Sequence, residues 1–197
     1  DHLNSREIEM LAETKTNVVH CPSTAMKLAY GLSTFGKFPE LTAAGVNVSI
    51  GTDASDCSNF NDMVRLMYLA AVTPKDYRYD AAAGSAEKAI EMATINGAKT
   101  LNMEKEIGSI EVGKKADISI FDMHRPDWVP LYNEIQNLVY SAQGESCESV
   151  IIDGKFVMEN RKVLSIDEEE IIDRLQFRAK KISKKLNLPI YSPWKWL

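Results

Sequence analysis

The sequence predicts an α/β fold: a parallel sheet in its first part, a β-rich part after it and a long helix at its close. Three observations carry that prediction. Helix and strand patterns alternate over residues 4–53 at the spacing of βα repeats, which build parallel sheets. Near residues 102–110 the texture changes to turn-rich segments and a hairpin signal. From Asp167 onward the chain reads as one charged, amphipathic helix.

Each element has its own local cause. Asn4 or Ser5 caps a helix running to about Thr14, with Ile8, Leu11 and Ala12 on one face. Asn17-Val18-Val19-His20 is a short apolar run stopped by Cys21-Pro22, as in a buried parallel strand, and a loop is expected from Ser23 to Gly36. A second helix spans about Pro39 to Ala44 and stops at Gly45. Val46 to Ile50 is the next strand and runs into Gly51-Thr52-Asp53. A polar loop covers Ala54 to Asn59, and helices are expected over about Asp62–Ala71, Ser85–Thr94 and Ile95–Leu101.

Beyond Gly108 the reading is a turn-rich stretch to Asp117, a strand at Ile118–Phe121, a helix at Glu134–Ala142 and a hairpin over Val150–Met158 turning at Asp153-Gly154. The final helix opens on Asp167-Glu168-Glu169-Glu170 and ends on Lys180, Lys181, Lys184 and Lys185, matching the helix dipole at both ends. That match explains the charge blocks as a solvated face. Trp194 and Trp196, after Pro189 and Pro193, are expected to dock on the body rather than stack on a ligand.

Composition narrows the function classes. At 45% hydrophobic and 26% charged, the 197 residues suit a folded domain and not a disordered chain. A net charge of −5 disfavours nucleic acid and anionic membranes as partners. No apolar run approaches the roughly 20 residues of a membrane span, and no signal peptide opens the chain. Cys21, Cys57 and Cys147 are odd in number and widely spaced, so neither a disulfide framework nor a metal knuckle is expected, and the compartment reads as cytoplasmic. The first residue is not Met, and the chain opens on a loop entering a helix, as a piece of a longer protein would.

Asp53 is the leading candidate for chemistry. It follows an apolar strand and two small residues, so its carboxylate stands at a strand's C-terminal end, where parallel barrels place their reactive groups. Such a carboxylate binds a metal through one oxygen and accepts a proton on the other; the alternative is a turn or cap residue. His20 ends the preceding strand and either shares that mouth or is a structural histidine. Ser58 and Asn59 lie in the polar loop after Asp53, which either contacts substrate or is simply a turn. His2 and His124 read as loop and surface-turn residues, and the cysteines as inert thiols. No Gly-rich phosphate loop, GxSxG elbow or HExxH pair is present.

Longer motifs sharpen this reading. His20-Cys21-Pro22-Ser23, Lys27-Leu28-Ala29, Gly45-Val46-Asn47-Val48, Gly51-Thr52-Asp53 and Ser58-Asn59 come first, then Ala93 to Ala98, Gly108 to Asp117, Leu138 to Ser141 and Val150 to Gly154. In that order they resemble the amidohydrolase superfamily, nearest the branch of methylthioadenosine/adenosylhomocysteine deaminases, guanine deaminase and triazine chlorohydrolases. The resemblance implies the last units of a metal-dependent hydrolase (β/α)8 barrel with following helices (residues 1–105), the C-terminal part of a small composite β-sandwich (106–165), and a C-terminal helix and tail (166–197).

It further implies one divalent metal, zinc or alternatively iron, with Asp53 as ligand and proton acceptor and with His20, Ser58 and Asn59 near the substrate, a small heterocycle. The implied reaction is hydrolysis of a non-peptide C–N bond of a purine, pyrimidine or triazine-like ring, or loss of chloride in the chlorohydrolase variant. The family's HxH and His-x-x-Glu elements occur nowhere in the sequence, and Ala25 stands where the family commonly has Asn. The chain is therefore expected to be inactive alone, and either to lack an N-terminal segment or to work as a homo-oligomer or partner-dependent subunit. A catalytic zinc takes three protein ligands, and one carboxylate cannot hold it.

Overall fold

The computed structural model describes residues 2–187, so Trp194 and Trp196 lie outside the described residues. Helix α1 (Ser5–Glu13) takes Asn4 rather than Ser5 as its cap: Asn4 accepts from the Glu7 N–H, and the Glu7 carboxylate accepts from the Asn4 N–H, a reciprocal cap. Strand β1 (Val18–His20) leads into α2 (Pro22–Lys27) and the short α3 (Leu32–Phe35), where a loop was expected. Pro22 explains the first of these, since its fixed φ suits the opening turn of a helix. Helix α4 (Phe38–Ala43) ends at Gly45, whose φ of +83° is the left-handed turn that glycine adopts at no steric cost.

Strand β2 (Val48–Ile50) is buried throughout and lies parallel to β1, with Val18 beside Val48 and His20 beside Ile50. The Val18 N–H donates to Asn47 O and the Gly51 N–H to His20 O, both at 2.9 Å. Strand alternation then turns the Val48 and Ile50 backbone groups to the far edge, where the Asn96 side-chain amide donates to Val48 O at 3.0 Å. Among the described residues no strand pairs with either outer edge, and Val19 stands half exposed. Two strands alone make a marginal sheet.

The helices after β2 supply the main core. Helix α5 (Ser55–Ser58) occupies the expected polar loop. Helix α6 (Met63–Arg78), capped by Asp62, runs a full turn and more past its expected end and includes Pro74. Helices α7 (Ala86–Ala93) and α8 (Ile95–Thr100) follow as expected. Ile50, Val64, Leu66, Met67, Ala71, Ala86 and Ala89 pack with Trp128 and with Val139 and Ala142 at helix α9 (Glu134–Tyr140), so one core joins the first part of the chain to the second. Ile8, Leu41, Val46 and Val48 form a smaller cluster between α1, α4 and β2.

The second sheet is antiparallel in the order β3 (Ile118–Phe121), β4 (Cys147–Ile152), β5 (Lys155–Glu159), β6 (Lys162–Val163). Asp153 and Gly154, both at positive φ, turn the β4–β5 hairpin as the sequence predicts. The Asp117 carboxylate accepts from the Asp153 N–H at 2.7 Å and ties the turn-rich stretch to it. Helix α10 (Glu168–Leu186) closes the described chain and buries none of its residues.

Candidate active-site carboxylate

Parallel pairing brings the C-terminal ends of β1 and β2 together, and Gly51 lets them approach. A Cβ on Gly51 would sit 2.8 Å from Val19 Cγ1 and 3.2 Å from Cys21 Sγ, so a side chain there would force the strands apart. Two residues on, Asp53 adopts φ +60°, a left-handed conformation that costs an L-residue energy and that short polar side chains tolerate best. The local bond that accompanies it runs from the Ala54 N–H to Asp53 Oδ1 at 2.7 Å. Oδ2 has no hydrogen-bond partner among the described residues, and the side chain is exposed. Geometrically this is a carboxylate fixed through one oxygen and offering the other.

Cys21 stands beside it. Burial pushes its thiol pKa up and the Asp53 charge adds to that, outweighing the opposing bond with the Asp53 backbone. The thiol is therefore protonated at neutral pH, as an inert cysteine should be.

The polar segment after Asp53 is a tied structure. Ser58 is buried, and its hydroxyl donates to Phe60 O at 2.9 Å and to Ala54 O at 3.3 Å. Asn59 takes φ +63° at the end of α5; its Oδ1 accepts from Lys27 Nζ, and its amide donates to Ser55 O at 3.4 Å. Lys27 also donates to Asp56 O at 3.2 Å, so the lysine of α2 latches the loop that follows Asp53. Sequence reasoning placed Lys27 in a motif but gave it no role. The contact spans 32 positions, and no local periodicity could show it.

His20 ends β1, and its ring turns toward the helices. It is buried beneath α4, stacked on the Phe38 ring with centroids 3.7 Å apart, and its Nδ1 has no hydrogen-bond partner. Burial drives its pKa down to about 3, which keeps the ring neutral. Beside it, α4, α6 and α7 enclose an open cavity of about 860 Å³ lined by Phe38, Val48, Arg78, Met92 and Asn96 among others. Asp53, Ser58 and Asn59 take no part in that lining. The structure thus ties Lys27 to Asn59 and Asp56, and Ser58 to Ala54, in the segment that follows Asp53, while the His20 ring packs on Phe38 of α4. His2 packs on Phe35 at 4.5 Å, and its Nε2 lies 3.2 Å from Tyr30 O.

The donor set can be weighed against a metal. Among the described residues no group of three or more His, Cys, Asp or Glu side chains converges, and the Cys21 thiol is held protonated. Asp53 by itself falls short of the three protein ligands of a catalytic zinc.

Comparison with known proteins decides the lineage. The profile of the amidohydrolase family matches residues 2–157. The chain belongs to the amidohydrolase family. A 5-methylthioadenosine/S-adenosylhomocysteine deaminase of Thermoanaerobacter pseudethanolicus is 41% identical over 184 residues, which is 93% of this chain and 42% of the relative. The deaminase of the same name from Moorella thermoacetica is 43% identical over 180 residues, 91% of this chain and 41% of its own. A crystal structure of an adenosine deaminase from Xanthomonas campestris with bound zinc superimposes with a TM-score of 0.87 at 34% identity, over 92% of this chain and 41% of that one. An atrazine chlorohydrolase from Arthrobacter aurescens complexed with zinc shares the fold, with a TM-score of 0.82 at 21% identity over 89% and 38% of the two chains.

This amidohydrolase chain thus spans about two-fifths of the length of the curated relatives it matches. Among the described residues no helix is long and apolar enough to cross a membrane.

Proposed function

We propose that this chain is the C-terminal part of a metal-dependent amidohydrolase that deaminates a purine, pyrimidine or triazine-like ring by hydrolysing its exocyclic C–N bond. The observation that carries the proposal is Asp53: a carboxylate at the C-terminal end of a parallel strand, bonded through Oδ1, open through Oδ2 and exposed, in a chain of amidohydrolase lineage. Deaminases at 41% and 43% identity favour loss of ammonia over loss of chloride. On this reading β1 and β2 are the last two strands of a (β/α)8 barrel, residues 106–165 belong to a composite β-sandwich, and residues 166–197 form the closing helix and tail. The open edges of β1–β2 support the first assignment, because a barrel leaves no edge.

A divalent metal, zinc by the relatives' example, would supply an activated water. Asp53 is the ligand and proton acceptor that this chain contributes. The Lys27–Asn59 tie and the Ser58 hydroxyl hold the loop beside it, where a heterocyclic substrate would lie. His20 supports the floor from the helical layer. The remaining ligands would come from polypeptide corresponding to the rest of the relatives' length. No role for nucleic acid or membrane is proposed. Three free cysteines fit a cytoplasmic protein.

The test is reconstitution. Co-expression with the N-terminal portion of a 5-methylthioadenosine/S-adenosylhomocysteine deaminase should yield a complex that releases ammonia from 5-methylthioadenosine, and Asp53→Asn should abolish that release while leaving the complex assembled. Full activity in the Asp53→Asn complex would sink the assignment.

A further inference from the structure

The backbone that carries the Asp53 carboxylate is costly to hold. Asp53 at φ +60° and Asn59 at φ +63° both take the left-handed conformation, and between them stands a single helical turn, α5. One turn of helix is not stable by itself, and a residue in a sparsely populated conformation stays there only where its surroundings over-determine it. The local bonds do not leave this segment. The Ala54 N–H donates to Asp53 Oδ1, and the Cys57 and Ser58 N–H groups and the Ser58 hydroxyl donate to Ala54 O. Among the described residues, Lys27 is the one that hydrogen-bonds to residues 54–59 from another helix or strand.

Lys27 stands in the last turn of α2, in the segment that follows β1, whereas Asp53 follows β2. Parallel pairing of the two strands sends both segments off the same end of the sheet. The Lys27 ammonium donates to Asp56 O at 3.2 Å and to Asn59 Oδ1, beyond the turn that separates them from Asp53. A charged donor makes stronger bonds than a neutral one. We propose that Lys27 is a positioning residue for Asp53. By clamping the far end of α5 it holds Ala54 in place, and through the Ala54 N–H it holds the carboxylate with Oδ2 open. The inference rests on the deaminase reading of Asp53 and adds to it a residue that aims the carboxylate from the neighbouring strand's side.

Amide exchange of the intact chain, resolved residue by residue by NMR, tests this first, because the Ala54 amide reads the bond to Asp53 directly. Lys27→Met keeps the length of the side chain and removes its charge and its donors. It should speed exchange at Ala54, Cys57, Ser58 and Asn59 by about fivefold or more, with α6 and α7 unchanged. Lys27→Arg should restore most of the protection. Unchanged exchange at Ala54 in Lys27→Met overturns the proposal, as does faster exchange spread equally through α6 and α7. In the complex reconstituted with the N-terminal portion of a deaminase relative, Lys27→Met should lower kcat by about 10–100-fold at a nearly constant KM. Lys27→Arg should recover most of that loss. A raised KM at the parent kcat overturns the proposal, since Lys27 would then serve substrate binding and not the carboxylate. A complex inactive with the parent chain would count against the deaminase reading, and exchange at Ala54 would still decide for or against Lys27.

Discussion

Acidification should unfold this chain earlier than its carboxylates alone would require, and the cause is His20. Its ordinary pKa of about 6.5 falls to about 3 in the folded protein because burial disfavours the charged ring. The folded pKa therefore lies below the unfolded one, and between the two values the unfolded state binds the extra proton. Stability from this group is complete above pH ~6.5 and is lost as pH falls toward ~3. Linkage gives a loss of about 1.4 kcal/mol between pH ~7.5 and ~5.5, and about 2.7 kcal/mol by pH ~4.5. With a urea dependence of about 1–3 kcal/mol per molar, the first loss moves the urea midpoint down by about 0.5–1.4 M.

The lowered carboxylates act below this window. For Glu40, burial resists ionisation, but the bonds from Arg78 at 2.7 and 2.8 Å outweigh it and hold the carboxyl below its usual range. Urea denaturation followed by tryptophan fluorescence at several pH values measures the effect. His20→Phe, which keeps a ring against Phe38 and removes the titration, should flatten the midpoint between pH ~6.5 and ~5. An unchanged slope in that variant, or a flat profile in the parent sequence, would refute the reasoning.

Three further outcomes follow from packing and capping. Gly51→Ala should destabilise by about 1–3 kcal/mol in urea melts, because its Cβ would stand 2.8 Å from Val19 Cγ1. Leu41→Ala removes a fully buried side chain from the cluster between α1, α4 and β2 and should cost about 2–5 kcal/mol by the same measure. Asp62→Ala strips α6 of the carboxylate that accepts from the Val64 and Arg65 N–H groups at 2.9 and 3.2 Å. It should cost about 1 kcal/mol, read as a thermal shift of a few degrees.

What the sequence showed and what it hid divide along the range of the interactions. The helix start at Asn4, for which Ser5 was the alternative cap, the Gly45 stop and the Asp153-Gly154 turn rest on contacts within a few residues and were legible, and each strand showed in its own apolar run. The place of Asp53 was legible too, three residues beyond a buried strand. Helix α2 was hidden because Cys21 provides no side-chain cap, leaving Pro22 as the only local signal. The end of α6 was misplaced because Pro74 reads as a helix breaker, whereas here it sits inside the helix with Thr73 bonded back to Leu69 O. The setting of His20 depends on Phe38 and helix α4, eighteen positions away along the chain. Lys27 and Asn59 meet only once both strands are paired. The single core that joins α6 and α7 to α9 likewise crosses the boundary that texture suggested near residue 105.

The most direct test of the central claim is the zinc content and deaminase activity of the purified chain, alone and after reconstitution with the N-terminal portion of a deaminase relative. The account predicts no stoichiometric zinc and no ammonia release from the chain alone, and about one zinc per complex with activity once the other ligands are supplied. Near-stoichiometric zinc with deamination by the chain on its own would contradict it.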